Sequence, residues 1–599
     1  TGYVRANSPW QHLESVWYSR PVDRLRTRLR RLIAGQIGDH PFSGLVTALA
    51  IGERGSIPNR QWDTLAATGT SHLMAISGLH IGLIAGLAFF LGRYLWTLCG
   101  RAALIVPAPQ AAAALALLLA AAYAALAGFS IPTRRALIMV AAVMVALLLR
   151  RQVTPARALL LALGGVLLMD PVAVVTAGFW LSFAAVAVIL YGLGGRLRGT
   201  GGWRQWGRVQ WVVALGLLPL LALFFQQVPL LSPLANLLAV PWVSMAVVPL
   251  TLLGAACVLL YPPLGGWLLG LAADLLGWLW PILEWLAGLD FSRWQPGGEP
   301  SSWALAAAAI GILWMLAPRG VPARWVGGVW LLPLVVAAPQ RPAPGEAWFT
   351  LLDVGQGLAA VVQTRNHTLV YDTGPKFSDR FDTGAAVVVP FLRNAGVQTV
   401  DVLMVGHGDN DHIGGAASLL RSYDVRRILS TVPERLSEGA EPCRRGESWR
   451  WDGVRFTILH PEADGTMAGN DASCVLRVES GGGALLLTGD IERRAERELL
   501  AEYPRQLAAA ILVAPHHGSK SSSQRRFVAA VDPKYVLFPV GYRNRFHHPH
   551  PQVARRYREE GALLLDSASL GAIRFRLDEK GISAPESYRL SARHYWNAG

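Results

Sequence analysis

Charge is scarce in this sequence: charged residues fill 16% of its 599 positions and hydrophobic ones 52%. Soluble chains hold about a quarter charged residues, so a wholly soluble protein is excluded and a polytopic membrane protein is indicated. Cysteine is nearly absent as well. Cys99, Cys257, Cys443 and Cys474 stand far apart with no C-x-x-C pair, so neither a zinc knuckle nor a disulfide framework is signalled. Cys443 and Cys474 have the option of pairing if their domain is extracytoplasmic. Also missing is any G-x-x-x-x-G-K-[ST] run, so the chain has no P-loop and no nucleotide cofactor of its own. Transport by it must draw energy from elsewhere. The opening at Thr1, with no initiator methionine, signal peptide or apolar first segment, reads as that of an excised fragment.

What is present divides unevenly. A chain this long needs at least two cores; the apolar weight lies between about Leu73 and Ala338, and the stretch after Pro344 alternates short apolar runs with Gly-rich turns and charges. Ahead of the apolar block, residues 21–37 place Leu25, Leu29 and Ile33 four apart among Arg24, Arg26, Arg28, Arg30 and Arg31. That pattern predicts a basic amphipathic helix suited to the membrane surface. Spans are expected near 78–98, 111–129, 136–149, 157–169, 173–192, 211–225, 234–259, 263–288, 301–317 and 324–339, roughly ten in all.

Lys and Arg are retained on the cytoplasmic side during insertion. One alternate set of loops holds Arg93, Arg101, Arg150, Arg151, Arg157, Arg196, Arg198, Arg204, Arg208, Arg319 and Arg324, and the other only Arg134, Arg135 and Arg293. With the Arg-rich set inside and ten spans, the domain after Ala338 emerges outside the cytoplasm. The net charge of +15 is explained equally by such loops and by a polyanionic partner. His72, Ser77, His80, Arg135, Asp170 and Asn236 are polar groups inside the apolar block. Such groups face a cavity, a pathway or one another; Asp170-Pro171 reads equally as a turn between spans.

SHLMAISGLHIGL (Ser71 to Leu83), GFSIPTRRALIM (Gly128 to Met139), DPVAVVTAGFWLSF (Asp170 to Phe183) and PLANLLAVP (Pro233 to Pro241) resemble, in order, the competence-domain blocks of the ComEC family of DNA-internalisation proteins. The resemblance implies a competence-type transmembrane channel domain over 21–340 and a metallo-β-lactamase-like hydrolase over 346–599. Residues 1–20 would be a remnant of the OB-like domain that family members carry upstream. The implied fold is a polytopic α-helical membrane domain followed by an α/β metallo-β-lactamase-like αββα sandwich.

His407-Gly408-Asp409-Asn410-Asp411-His412 follows an apolar run, Val402 to Val405, that reads as a buried strand. A strand, a Gly-bearing turn and a helix aim several hard or borderline ligands into one space. The metallo-β-lactamase motif is H-x-H-x-D-H. Here Asp409 replaces its second His, as in ComEC proteins, and favours a more oxygen-rich site tolerant of manganese as well as zinc. The resemblance implies two divalent metal ions. One would be held by His407, Asp409, Asp490 and His516 and the other by Asp411, His412, Asp490 and His548, with Asp411, Asp490 and His517 at the chemistry. Which member of His516/His517 and of His547/His548/His550 ligates stays open.

The usual third-motif His is absent upstream of Asp490; Asn470, Asp471 and Ser473 occupy that region, where Asn470 or Asp471 would orient substrate or a water. Asp353, Gln356 and Asp372 lie in two strand-end motifs that shape turns and support the ligands, and Ser519 closes the His516-His517 motif. Arg525, Arg526, Arg543, Arg545, Arg555, Arg556 and Arg558 flank the ligands and suit either phosphates or solvated faces.

Two bridged metals lower the pKa of a bound water and clamp phosphoryl oxygens, which suits phosphodiester cleavage. The resemblance therefore implies a multi-pass channel in the lipid of the bacterial inner membrane, carrying single-stranded transforming DNA while a nuclease degrades the other strand. Its partners would include other competence proteins, among them a DNA receptor and a cytoplasmic motor. The alternative is a membrane-anchored metallo-phosphodiesterase acting on an envelope polymer, and a third reading is a channel whose hydrolase fold is inert. One or two spans suffice for anchoring, so roughly ten favour transport.

Overall fold

The computed structural model describes residues 21–194, 202–318, 320–336, 339–462 and 467–592. The expected remnant at 1–20 and the loop arginines Arg196, Arg198 and Arg319 lie outside the described residues. The chain divides near residue 336 into two compact units.

The first unit is helical. Among the described residues, six helices are long and apolar enough to cross a membrane by length and composition: Gly78–Thr97, Ala108–Leu126, Ile131–Leu148, Arg204–Phe225, Ser232–Leu260 and Pro262–Ala287. Four shorter apolar helices, Pro155–Met169, Ala177–Leu193, Ser302–Leu316 and Arg324–Val336, stand at the remaining expected spans. Their starts follow from short polar residues: Thr154, Thr176 and Ser301 accept backbone N–H groups of the first turn. Pro241 lacks the N–H that would serve the Leu237 carbonyl, which accepts the Trp206 indole N–H at 3.2 Å instead, and a π-helical segment follows at Val243–Val247.

Small residues let the helices approach. Ala116, Ala120 and Ala124 are buried against Ala85 and Ala88, and a Cβ on Gly92 would stand 2.8 Å from Leu115. Leu87, Phe90, Leu118 and Trp267 are exposed on the outside, as a lipid solvent requires. The basic helix Pro21–Ile37 corrects its expected placement. Leu29, Ile33 and Ile37 are buried in one core with Leu45, Val258, Leu269 and Ala273, so the protein itself covers the stripe from Leu29 onward, while Leu25 stays exposed. Arg26 donates to the carbonyls of Leu126 and Ile51, and Arg30 pairs with Glu53.

The second unit is a four-layer αββα sandwich. A nine-stranded and a seven-stranded sheet face each other across a core built by Phe349, Leu369, Met404, Phe456, Leu476, Leu487 and Phe575. Each fully buried Phe contributes about 2–3 kcal/mol of apolar burial. The outer face of the first sheet is covered by Val389–Asn394 and Ala416–Ser422, and that of the second by Arg493–Glu502, Arg525–Val531 and Pro551–Glu559. In the first sheet Thr368–Tyr371 runs parallel to Thr399–Val405. In the second, Gly483–Leu487, Ile511–Val513 and Tyr535–Phe538 are parallel in turn. The carboxyl ends of these strands carry the motifs described next.

Candidate metal centre

All the candidate ligands but His548 closely follow a strand end. Asp372 follows Thr368–Tyr371, His407 to His412 follow Thr399–Val405, Asp490 follows Gly483–Leu487, and His516 and His517 follow Ile511–Val513. The backbone there is strained: Asp372, His516, His517 and His547 all hold φ between 49° and 57°. A left-handed non-Gly residue costs about 1–3 kcal/mol and persists only where the surroundings impose it. Gly357 (φ 144°) is required for a different reason. A Cβ there would lie 2.5 Å from the Asp411 carbonyl, which instead accepts the Leu358 N–H at 3.0 Å.

Among the described residues, Asp411, His412, Asp490 and His517 converge, with their ligand atoms within 4.8 Å of one another. His412 Nε2 is 3.1 Å and His517 Nε2 3.5 Å from Asp490 Oδ1, and His517 Nε2 is 3.4 Å from Asp411 Oδ2. The far side of each ring fixes its tautomer. His412 Nδ1 faces Asp372 Oδ2 at 2.7 Å, His517 Nδ1 faces the Pro539 carbonyl at 2.9 Å, and His516 Nδ1 faces Glu492 Oε1 at 3.0 Å. An acceptor at Nδ1 places the neutral ring's proton there, so Nε2 presents a lone pair to the centre.

Burial opposes charge on these groups, and their mutual attraction outweighs it. The imidazoles of His412, His517 and His516 hold Asp490 well below the carboxylate range, and Asp490 and Asp372 raise His412. His517 is likewise raised by Asp490 and Asp411. Burial and the neighbouring imidazoles bring His548 down to about 4, leaving it neutral at pH 7. His412 Nε2, His517 Nε2, Asp490 Oδ1 and His548 Nδ1 are buried and make no hydrogen bond. Orphaned atoms of His412, His517 and Asp490 within a converging quartet of two carboxylates and two imidazoles fit a divalent cation.

The remaining expected residues surround this quartet. His407 is buried with its ring 5.6 Å from that of His412; its Nδ1 accepts the Asp409 N–H at 3.3 Å. The Asp409 side chain is 69% exposed. His516 Nε2 lies 3.8 Å from Asp490 Oδ2 and its ring 6.1 Å from that of His548. Asn470 approaches His516 and Glu492 at 3.4 Å. Asp471 accepts the N–H groups of Glu492 and Ala495, Ser473 Oγ accepts that of Asp490, and Ser519 meets Ser521. Gln356 accepts the Gly541 N–H, whereas Asp353 pairs with Arg589. Glu492 escaped the sequence reading; its place two residues after Asp490 was the available signal.

Of the polar groups in the helical unit, His80, Arg135 and Asn236 are buried, Ser77 is half-buried, and His72 and Asp170 are exposed. Asp170 thus belongs to a turn, ahead of the short helix Pro171–Val175. His80 Nδ1 accepts the Ser77 N–H at 3.4 Å, and Asn236 donates to Ser232 Oγ at 2.9 Å. His80 Nε2, Arg135 Nε and Asn236 Oδ1 make no hydrogen bond. Cys443 and Cys474 form a disulfide.

Residues 49–322 match the family model described as "Competence protein", and residues 352–541 that of the "Metallo-beta-lactamase superfamily". "Competence protein ComA" of Neisseria gonorrhoeae is 37% identical over 557 residues, 92% of this chain and 77% of that one. "ComE operon protein 3" of Bacillus subtilis (strain 168) is 28% identical over 567 residues, 89% of this chain and 71% of that one. "Endoribonuclease YSH1" of Mycosarcoma maydis is 25% identical over 251 residues, 35% of this chain and 26% of that one.

Proposed function

This chain belongs to the competence-protein family and carries a metallo-β-lactamase-superfamily domain, and from that premise we propose that it conducts single-stranded DNA across the bacterial inner membrane while its C-terminal domain hydrolyses the complementary strand. A multi-pass inner-membrane protein with a role in competence is the frame for that reading. The observation that carries it is the convergence of four ligand groups, three of them buried and Asp411 half-buried, in a chain whose other half holds far more apolar helix than an anchor needs.

Asp411, His412, Asp490 and His517 would hold a divalent cation, zinc or manganese, and His407, Asp409, His516 and His548 are the donors nearest to hand for a second. Such ions supply a water of lowered pKa and a clamp on phosphoryl oxygens. The chain's own residues set the stage. Asp372, Glu492 and the Pro539 carbonyl hold three imidazoles in the ligating tautomer, and the Ser473 hydroxyl fixes the Asp490 backbone. A groove of about 490 Å³ is lined by the cations Arg493, Arg494, Arg497 and Lys520 together with the carboxylates Asp471 and Glu492, four positive groups against two negative ones, a net charge that suits a polyanion. A relative named an endoribonuclease supports phosphodiester chemistry.

In the helical unit Arg135 is the group suited to meet phosphates, with His80 and Asn236 as polar company. The Arg-rich loops and the Cys443–Cys474 disulfide, a bond of oxidising compartments, favour an extracytoplasmic C-terminal domain. With no P-loop in the chain, a DNA receptor outside and a motor inside would be its partners. The test is cleavage of DNA by the purified full chain with manganese or zinc, together with a reporter fused after Gly599. Metal-dependent cleavage and an extracytoplasmic reporter are expected; a metal-loaded chain that cleaves nothing would leave a channel with an inert fold.

A further inference from the structure

The surroundings of the metal centre hold exposed aromatic rings in two loops. Phe377 is 61%, Phe381 53%, Tyr542 73% and Phe546 49% exposed. Both loops are tied to the motifs of the centre itself. Phe377 and Phe381 stack on each other at 5.6 Å in the hairpin that begins at Lys376. That hairpin is latched to Asn410, between Asp409 and Asp411: the Lys376 N–H donates to Asn410 Oδ1 at 3.3 Å, and Asn410 Nδ2 donates to the Lys376 carbonyl at 3.0 Å. The second loop is held by Asn544, whose amide binds the His548 N–H at 2.9 Å and its carbonyl at 2.8 Å. Phe546 lies nearly parallel to the His548 ring, 5.7 Å away.

Cations are interleaved with these rings. The Arg543 guanidinium sits 5.2 Å from the Tyr542 centroid and that of Arg545 4.6 Å from Phe546. Neither arginine has a carboxylate partner among the described residues. Water-facing rings alternating with unpaired guanidinium groups fit an unpaired nucleic-acid strand, whose bases stack on rings while its phosphates meet the cations. A duplex keeps its bases inside and can use the charge alone. A lipid surface also takes aromatics and cations, but it gives no reason for both loops to be fastened to ligand-bearing motifs.

We propose that these loops form a base-stacking rim that feeds an unpaired nucleic-acid strand to the metal centre, making the hydrolase selective for single strands; this rests on the phosphodiesterase reading above. The test uses the full chain in lipid nanodiscs with chelator present, irradiated with an oligonucleotide carrying 5-iodouracil, and maps the adducts by mass spectrometry. Adducts are expected on Tyr542 or Phe546 and on Phe377 or Phe381, displaced by unlabelled single strand roughly tenfold more readily than by duplex. With manganese, Tyr542→Ala and Phe381→Ala should raise KM for a single strand roughly tenfold, more than they lower kcat, and Trp at either position should restore it. Adducts confined to other residues, or competition by duplex as strong as by single strand, would overturn the rim. Labelling of these rings by a membrane-dissolved photoprobe in place of the oligonucleotide would reassign them to lipid and overturn it too. Adducts with no cleavage by the wild type would uphold the rim and remove the phosphodiesterase reading, and cleavage without adducts would do the reverse.

Discussion

Both halves of this chain bury polar groups, and they do it in opposite ways. In the C-terminal domain, His412, His517 and Asp490 are gathered, and the far nitrogen of each ring is anchored by Asp372 or Pro539. In the helical unit, His80, Arg135 and Asn236 lie on separate helices, each with one buried atom that makes no hydrogen bond. An unsatisfied buried polar atom costs about 1–3 kcal/mol. One ion would satisfy several at once in the domain, so gathering and anchoring mark a fixed ligand. Scattered groups share no single ligand, and a passing one, or helix packing, is what remains for them.

The contrast breaks most severely at Asp490. Asp490→Ala removes the carboxylate that faces three imidazoles, so metal-dependent cleavage of a phosphodiester should fall to background; cleavage at the wild-type rate would end the assignment. Asp372→Ala leaves every facing ligand in place but frees His412 to turn. Metal affinity measured by calorimetry should drop about 10–100-fold, and an unchanged affinity would mean anchoring contributes nothing. Glu492→Gln keeps a weaker partner for His516 Nδ1 and should stay near the lower end, about tenfold.

The smallest effect lies away from both sites. Burial opposes charge on Asp452, but hydrogen bonds from Thr364, Asn366 and His367 outweigh it and hold the carboxyl well below its usual range. A depressed folded-state pKa contributes stability that is complete above the ordinary carboxylate pKa, about 3.9, and fades as pH falls toward the folded value. Asp452→Asn should therefore lower stability by about 1–2 kcal/mol at neutral pH. Thermal melts of mutant and wild type should converge below about pH 4; a gap independent of pH would contradict the sign.

The helices and the HGDNDH motif were legible because both are local signals: runs of apolar residues long enough for a span, and ligands packed into six positions after a strand. The choice between His516 and His517 was not. Adjacent left-handed residues, φ 49° and 55°, send the two rings different ways, and only the tertiary partners Glu492 and Pro539 decide which faces Asp411. The pairing of Cys443 with Cys474 stayed conditional in the sequence, since it depends on the ends of strands from two different sheets, Ala440–Pro442 and Val475–Ser480, being brought together. Composition also misplaced the helix Pro21–Ile37. Its arginines suit a membrane surface, yet its apolar stripe meets Leu269 and Ala273 of a distant helix, which local periodicity cannot reveal.

The central claim is that the helical unit is a path and the domain a fixed site. Arg135 tests it most directly, because it is buried, its Nε makes no hydrogen bond, and a Cβ on Gly178 would lie 3.0 Å from its guanidinium. Uptake of labelled transforming DNA by competent cells carrying Arg135→Ala should fall strongly while membrane abundance and metal-dependent cleavage by the purified chain hold. Uptake equal to wild type, or uptake falling only in step with abundance, would contradict the path and leave Arg135 as helix packing.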